Sequence, residues 1–169
     1  MRSNLLKISL TVALAGAAVM LFGQLAAAQE SRNSLLGTWQ VQVTQVDCQS
    51  GTPLSPSFPS LLTFAIGGTM TEDTSNPGFA AGQRGDGQGQ WHYRGGNTYG
   101  ARSVAFIKFT TPPDSDTHNP GFDQGQQTIT QTITLTDNND WTSSASVSFT
   151  DATGAVYRKG CAIASAKRF

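Results

Sequence analysis

Polar and apolar residues alternate in twos along most of this chain, and after residue 28 no segment keeps up the 3.6-residue apolar period of a helix. The stretch TWQVQVTQVDC sets Trp39, Val41 and Val43 against Gln40, Gln42 and Thr44. TITQTITLT puts Thr128, Thr130, Thr132, Thr134 and Thr136 on one face, with Ile129, Gln131, Ile133 and Leu135 on the other. WTSSASVSFT opposes Trp141, Ala145, Val147 and Phe149 to a row of Ser and Thr. Such alternation marks antiparallel strands with one face buried and one in water. Eight strands are predicted, at 38–48, 60–66, 69–74, 88–94, 98–110, 127–136, 140–150 and 155–166. The break between the second and third rests on Gly67-Gly68 acting as a hairpin turn. A glycine bulge inside one longer strand is the alternative.

In an up-and-down meander the connections alternate between the two ends of the sheet. The tight ones, at Gly67-Gly68, GGN (95–97) and DNN (137–139), share one end. Three long ones share the other, at 49–60, 75–87 and 111–126, together with the shorter DATG at 151–154. Asn-Pro-Gly-Phe occurs twice, at 76–79 and 119–122. Proline fixes φ and glycine tolerates positive φ, so each copy reads as a turn presenting one phenylalanine. Alternation then puts Phe79 and Phe122 on one rim with Phe58. Pairing the first strand with the last removes the exposed edges. The expected fold is all-β: an eight-stranded antiparallel up-and-down barrel with three long loops at one end. If Cys48 stands opposite Cys161 in the closing pair, Val41 faces Arg168, and Trp39 lies with Lys167-Arg168-Phe169 at the tight-turn end.

The first residues change the picture of where this barrel works. Arg2 and Lys7 precede an apolar run from Ile8 to Phe22, and Ala26 and Ala28 suit a cut before Gln29. This pattern predicts a signal peptide over 1–28 and a single domain over 29–169, exported to the periplasm or beyond the cell. The apolar run is short for a spanning helix, so no membrane span is expected in the mature form. Without Arg2 and Lys7, nine basic side chains face eleven acidic ones, for a net charge of −2. With no Lys/Arg cluster either, nucleic acid is not an expected partner. Cys48 and Cys161 are the two cysteines, and in an oxidising compartment they read first as a disulfide; the alternative is two buried thiols.

Gly37-Thr38-Trp39 at the start of the first strand, with Arg168 or Lys167 ending the last, resembles the lipocalin and fatty-acid-binding (calycin) barrels. In those, a Gly-x-Trp sits at the closed end and a basic residue of the final strand packs on the indole. The resemblance implies closed-end structural roles for Gly37, Trp39 and Arg168, and a barrel suited to an apolar ligand. The chain also resembles a group of small exported bacterial proteins sharing GTW…DC…FPSLLTFA.GGT and GCA…RF. That group carries a His before the Gly-x-Trp of the fourth strand, where this chain has Gln88.

Candidate chemistry is sparse. Nucleophilic catalysis needs a nucleophile beside a base, and the histidines are His92, alternating with Trp91 and Tyr93, and His118 in a loop. Asp114, Asp116, His118 and Asp123 stand near one another in sequence, but Asn119 and Gly125 occupy the positions where a calcium loop needs Gly and Glu. Arg84-Gly85-Asp86 reads as a chance tripeptide, and the outward Thr/Ser rows as ordinary strand surface rather than an ice-binding face. No cofactor and no metal is implied. Trp91 and Tyr93 share a face, and of Phe106 and Phe109 only one points inward. These aromatics either fill the core or line a pocket.

The reading is a non-catalytic binder of a small apolar or amphipathic molecule, a monomer or weak oligomer, with Phe58, Phe79, Trp91, Tyr93, Phe106 and Phe122 as ligand-contacting residues. Two alternatives stand beside it. One is a barrel enzyme of the allene-oxide-cyclase kind, an isomerase or cyclase, which would need inward polar groups such as Gln45 or Gln131. The other is a surface-interaction protein with a filled core. Interior volume separates that last reading from the first two, and a buried carboxylate or His aimed at the ligand favours the enzyme.

Overall fold

Alternation along the sequence becomes alternation across a closed wall. The computed structural model describes residues 34–108 and 125–169. These form β1 (Gly37–Val46), β2 (Phe58–Phe64), β3 (Thr69–Thr74), β4 (Gly87–Gly95), β5 (Thr98–Ile107), β6 (Gly125–Leu135), β7 (Asp140–Thr150) and β8 (Val156–Arg168). Each strand pairs antiparallel with its chain neighbours, and β1 pairs with β8 to close the barrel. Among the described residues there is no helix. The export signal, the second Asn-Pro-Gly-Phe copy with Phe122, and Phe109, Asp114, Asp116, His118 and Asp123 lie outside the described residues.

Gly67 and Gly68 form a turn rather than a bulge, because β2 and β3 pair antiparallel on either side of them. Both have positive φ, 90° and 83°, a conformation that costs glycine little. A side chain at Gly68 would also start 2.9 Å from the Trp91 carbonyl oxygen, while the Trp91 amide donates a 2.7 Å bond back to the Gly68 carbonyl. The β2–β3, β4–β5 and β6–β7 turns therefore share one end, and the longer connections leave from the other.

The disulfide forms as expected, but the register around it differs by two residues. Cys48 and Cys161 are bonded, with their Cα atoms 5.2 Å apart. The β1–β8 ladder pairs Trp39 with Arg168 and Val46 with Cys161, so Val41 faces Ala166 rather than Arg168. The reason is local. The Asp47 carboxylate accepts the amides of Gln49 and Ser50 at 3.0 and 2.8 Å, which turns the chain and carries Cys48 beyond the ladder. The Ser50 amide, followed by the Ser50 hydroxyl, holds the Asp47 carboxyl below its ordinary pKa.

The interior is built in two halves. At the tight-turn end, Leu35, Trp39, Phe64, Met70, Tyr99, Ile133, Leu135 and Trp141 form a filled floor. Trp39 and Trp141 meet edge to face with centroids 6.1 Å apart, and the Trp39 indole donates to the Leu35 carbonyl at 2.9 Å. The Arg168 guanidinium caps this floor from outside, 4.2 Å from the Trp39 ring centroid, and donates to the carbonyls of Leu36 and Asn138. Gly37 admits it: φ is +115°, and a Cβ there would lie 3.0 Å from Arg168 Nη1. Arg168→Ala is expected to cost about 2 kcal/mol through the lost cation–π contact and hydrogen bonds. Thermal melting checks the loss, and a shift in Trp39 emission locates it. Lys167, by contrast, is exposed and only reaches Asp140 at 3.8 Å.

Candidate ligand-binding site

Above the floor the inward side chains become small. The inward row of β8 is Gly160, Ala162, Ala164 and Ala166, and across the β7–β8 ladder stand Ala145 and Ser143. Two neighbouring strands thus contribute almost no bulk, and side chains from the opposite wall do not reach across. A cavity of about 160 Å³ remains. Its apolar lining includes Val41, Val43, Phe58, Leu62, Ile129, Val147 and Phe149, with Gln45 and Gln131 also in the wall. Arg158 and Lys159 from the start of β8 complete the lining, and Arg158 stacks 4.9 Å from the centroid of the Phe149 ring.

A buried polar cluster occupies one side. Glu72 lies on the inward row of β3 between Met70 and Thr74 and lines the cavity. Its Oε1 pairs with Arg84 Nη2 at 3.0 Å, and its Oε2 accepts from the Ser103 hydroxyl at 2.9 Å. Arg84 Nε donates in turn to Gln127 Oε1. The side chains of Arg84 and Glu72 are only 5% and 8% exposed. Gly87 makes the space, because a Cβ there would lie 2.8 Å from Glu72 Oε2. Arg84 comes from the β3–β4 connection and is held by a bridge to Ile107, with the Gly85 amide donating to the Phe106 carbonyl. The Arg-Gly-Asp tripeptide therefore turns its arginine into the barrel.

The expected contact residues fall in different places. Phe58 is buried in the inward row of β2 and lines the cavity. Phe79 is half-buried at the rim, its ring 6.3 Å from that of Phe149. Its turn is built as the sequence suggests, with the Asn76 side chain accepting the Gly78 amide and the Asn76 carbonyl the Phe79 amide. Trp91 and Tyr93 are corrections. Both lie toward the tight-turn end, where Trp91 packs on Phe64 and Tyr99 and donates to the Ala65 carbonyl, and Tyr93 leans on Tyr99 while staying largely exposed. Phe106 is a third correction. The inward row of β5 is Tyr99, Ala101, Ser103, Ala105 and Ile107, so Phe106 points outward and is 58% exposed.

The sequence pattern does not single out Glu72 or Gln127, and it presents Arg84 only within a tripeptide that reads as chance. The inward parity of Glu72 in TMTEDT was the available signal, since a buried carboxylate requires a partner. Among the described residues no group of three or more His, Cys, Asp or Glu side chains could hold a metal, and His92 is exposed. Nor is any helix there long and apolar enough to cross a membrane.

No family model and no curated protein matches this chain. Among solved structures it is similar to EF1p2_mFAP2b bound to DFHBI, at 16% identity with a TM-score of 0.49, over 82% of this chain and 98% of that one.

Proposed function

We propose that this protein is an exported, non-catalytic carrier or sensor of a small, largely apolar molecule held inside the barrel. The observation that carries the reading is the cavity itself: about 160 Å³, walled by valine, leucine, isoleucine and phenylalanine above a fully packed floor. An apolar cavity of about 150 Å³ is large enough to take up benzene. The size therefore favours a single ring or a short chain over a long acyl tail. Phe58 and Phe149, with Phe79 against the latter, supply aromatic surface at the open end, and Arg158 and Lys159 would suit an amphipathic ligand with its charged end outermost. The disulfide fits an oxidising compartment. The Gly37, Trp39 and Arg168 cap supports kinship with lipocalin-like barrels.

A catalytic reading would rest on Glu72, the carboxylate in the cavity wall. Its two oxygens are already engaged by Arg84 and Ser103, which favours a structural and positioning role. Filling the cavity tests the binding reading. Ala145→Phe should keep the fold and melting temperature, because the ring enters existing space, while weakening uptake of toluene at least about tenfold. Unchanged toluene binding in a folded Ala145→Phe variant would place the ligand elsewhere.

A further inference from the structure

Besides the Arg84 side chain, five polar residues are buried to more than nine-tenths inside the described barrel: Ser60, Glu72, Ser103, Gln127 and Gln131. Four have partners. Ser60 donates to the Asp73 carbonyl, Ser103 to Glu72, Glu72 also receives Arg84, and Gln127 Oε1 accepts from Arg84. Gln131 is the exception. Its side chain is in the cavity wall on the inward row of β6, and among the described residues its amide makes no hydrogen bond. Its ladder neighbours on that row, Ala101 and Ala145, carry no polar group that could satisfy it. Among the described residues the one fully sealed polar side-chain atom without a partner is Trp141 Nε1, which belongs to the packed floor outside the cavity wall; the Gln131 amide instead opens on the cavity. A buried amide left unpaired is costly, and native interiors rarely tolerate one unless water or a ligand completes it.

We infer that Gln131 is the specificity-determining contact of the cavity, and that the ligand is a neutral, single-ring-sized molecule carrying one hydrogen-bonding group, such as a hydroxyl or carbonyl, that enters first. This rests on the binding reading above and adds the chemistry of the deep end. A primary amide both donates and accepts, so it matches a hydroxyl in either sense. The deep group is neutral because nothing beside Gln131 would stabilise a buried charge. Glu72 is already compensated by Arg84, and Arg158 and Lys159 belong to the start of β8, far along that strand from the floor.

The test compares phenol with toluene, two probes of similar size, by chemical-shift titration of the wild type and of Gln131→Met, which keeps the volume and removes the amide. The phenol-to-toluene affinity ratio should fall about tenfold in the variant, the effect of one lost hydrogen bond to a buried group. Melting of the unliganded proteins gives a second readout. Gln131→Met should be as stable as the wild type or more so, and a clear destabilisation would show that the amide is bonded within the protein, overturning the inference. If both probes bind and their ratio is unchanged in the variant, the anchor is refuted while the cavity reading stands. If neither probe binds the wild type, both fall.

Discussion

Arg84→Met is expected to destabilise the protein by about 3–5 kcal/mol, because it leaves the Glu72 carboxylate buried without its counter-charge. Urea unfolding should show the loss directly. The Ser103 hydroxyl would remain as a partner for Glu72, but one neutral donor does not compensate a buried charge. Glu72→Gln should be damaging for the mirrored reason, stranding the guanidinium against Gln127 and the Gly85 carbonyl. Combining Arg84→Met with Glu72→Leu should recover much of the loss, since well-packed apolar replacements of a buried ion pair are often neutral or better. A near-neutral Arg84→Met single variant would mean that water reaches the pair and that the cluster is not sealed.

The second large effect is at the disulfide. Cys48 and Cys161 are 113 residues apart in sequence, so the bond closes a loop spanning almost the whole barrel. In the chain-entropy model such a loop stabilises by about 3–5 kcal/mol relative to the reduced chain. Cys48→Ser with Cys161→Ser should lower the urea midpoint accordingly. Its m-value should change little or rise, because the unlinked unfolded chain exposes at least as much surface. Peptide mapping without reductant should recover one linked pair from the wild type.

How much of this was legible in the residues depends on which physical variable a feature uses. Period-two alternation fixes which side of the wall a residue faces, and for Trp39, Val41, Ile129, Ile133, Trp141 and Phe149 the sequence pattern and the barrel agree. Parity says nothing about height along the barrel axis. Trp91 and Tyr93 share a face and are expected beside Phe58 as ligand contacts, yet they lie toward the tight-turn end and Phe58 lines the cavity above the floor. The same variable displaced the β1–β8 register: a two-residue slip preserves every inward and outward assignment, so the alternation could not detect it. The inward role of Arg84 was hidden for a different reason. It sits in a connection, where no period reports direction, and only the need of inward Glu72 for a cation could have pointed to it. The cavity had a signal in GCAIASA, whose inward residues are one glycine and three alanines, but smallness opens space only where the facing residues also fall short.

The central claim, that the upper half of the barrel is a ligand cavity, is tested most directly by native mass spectrometry of the protein recovered from the periplasm or medium of its own host. The account predicts a one-to-one adduct of a small neutral molecule, released on unfolding and absent from the Ala145→Phe variant. A bare chain that also gains no adduct when titrated with toluene or phenol would contradict it.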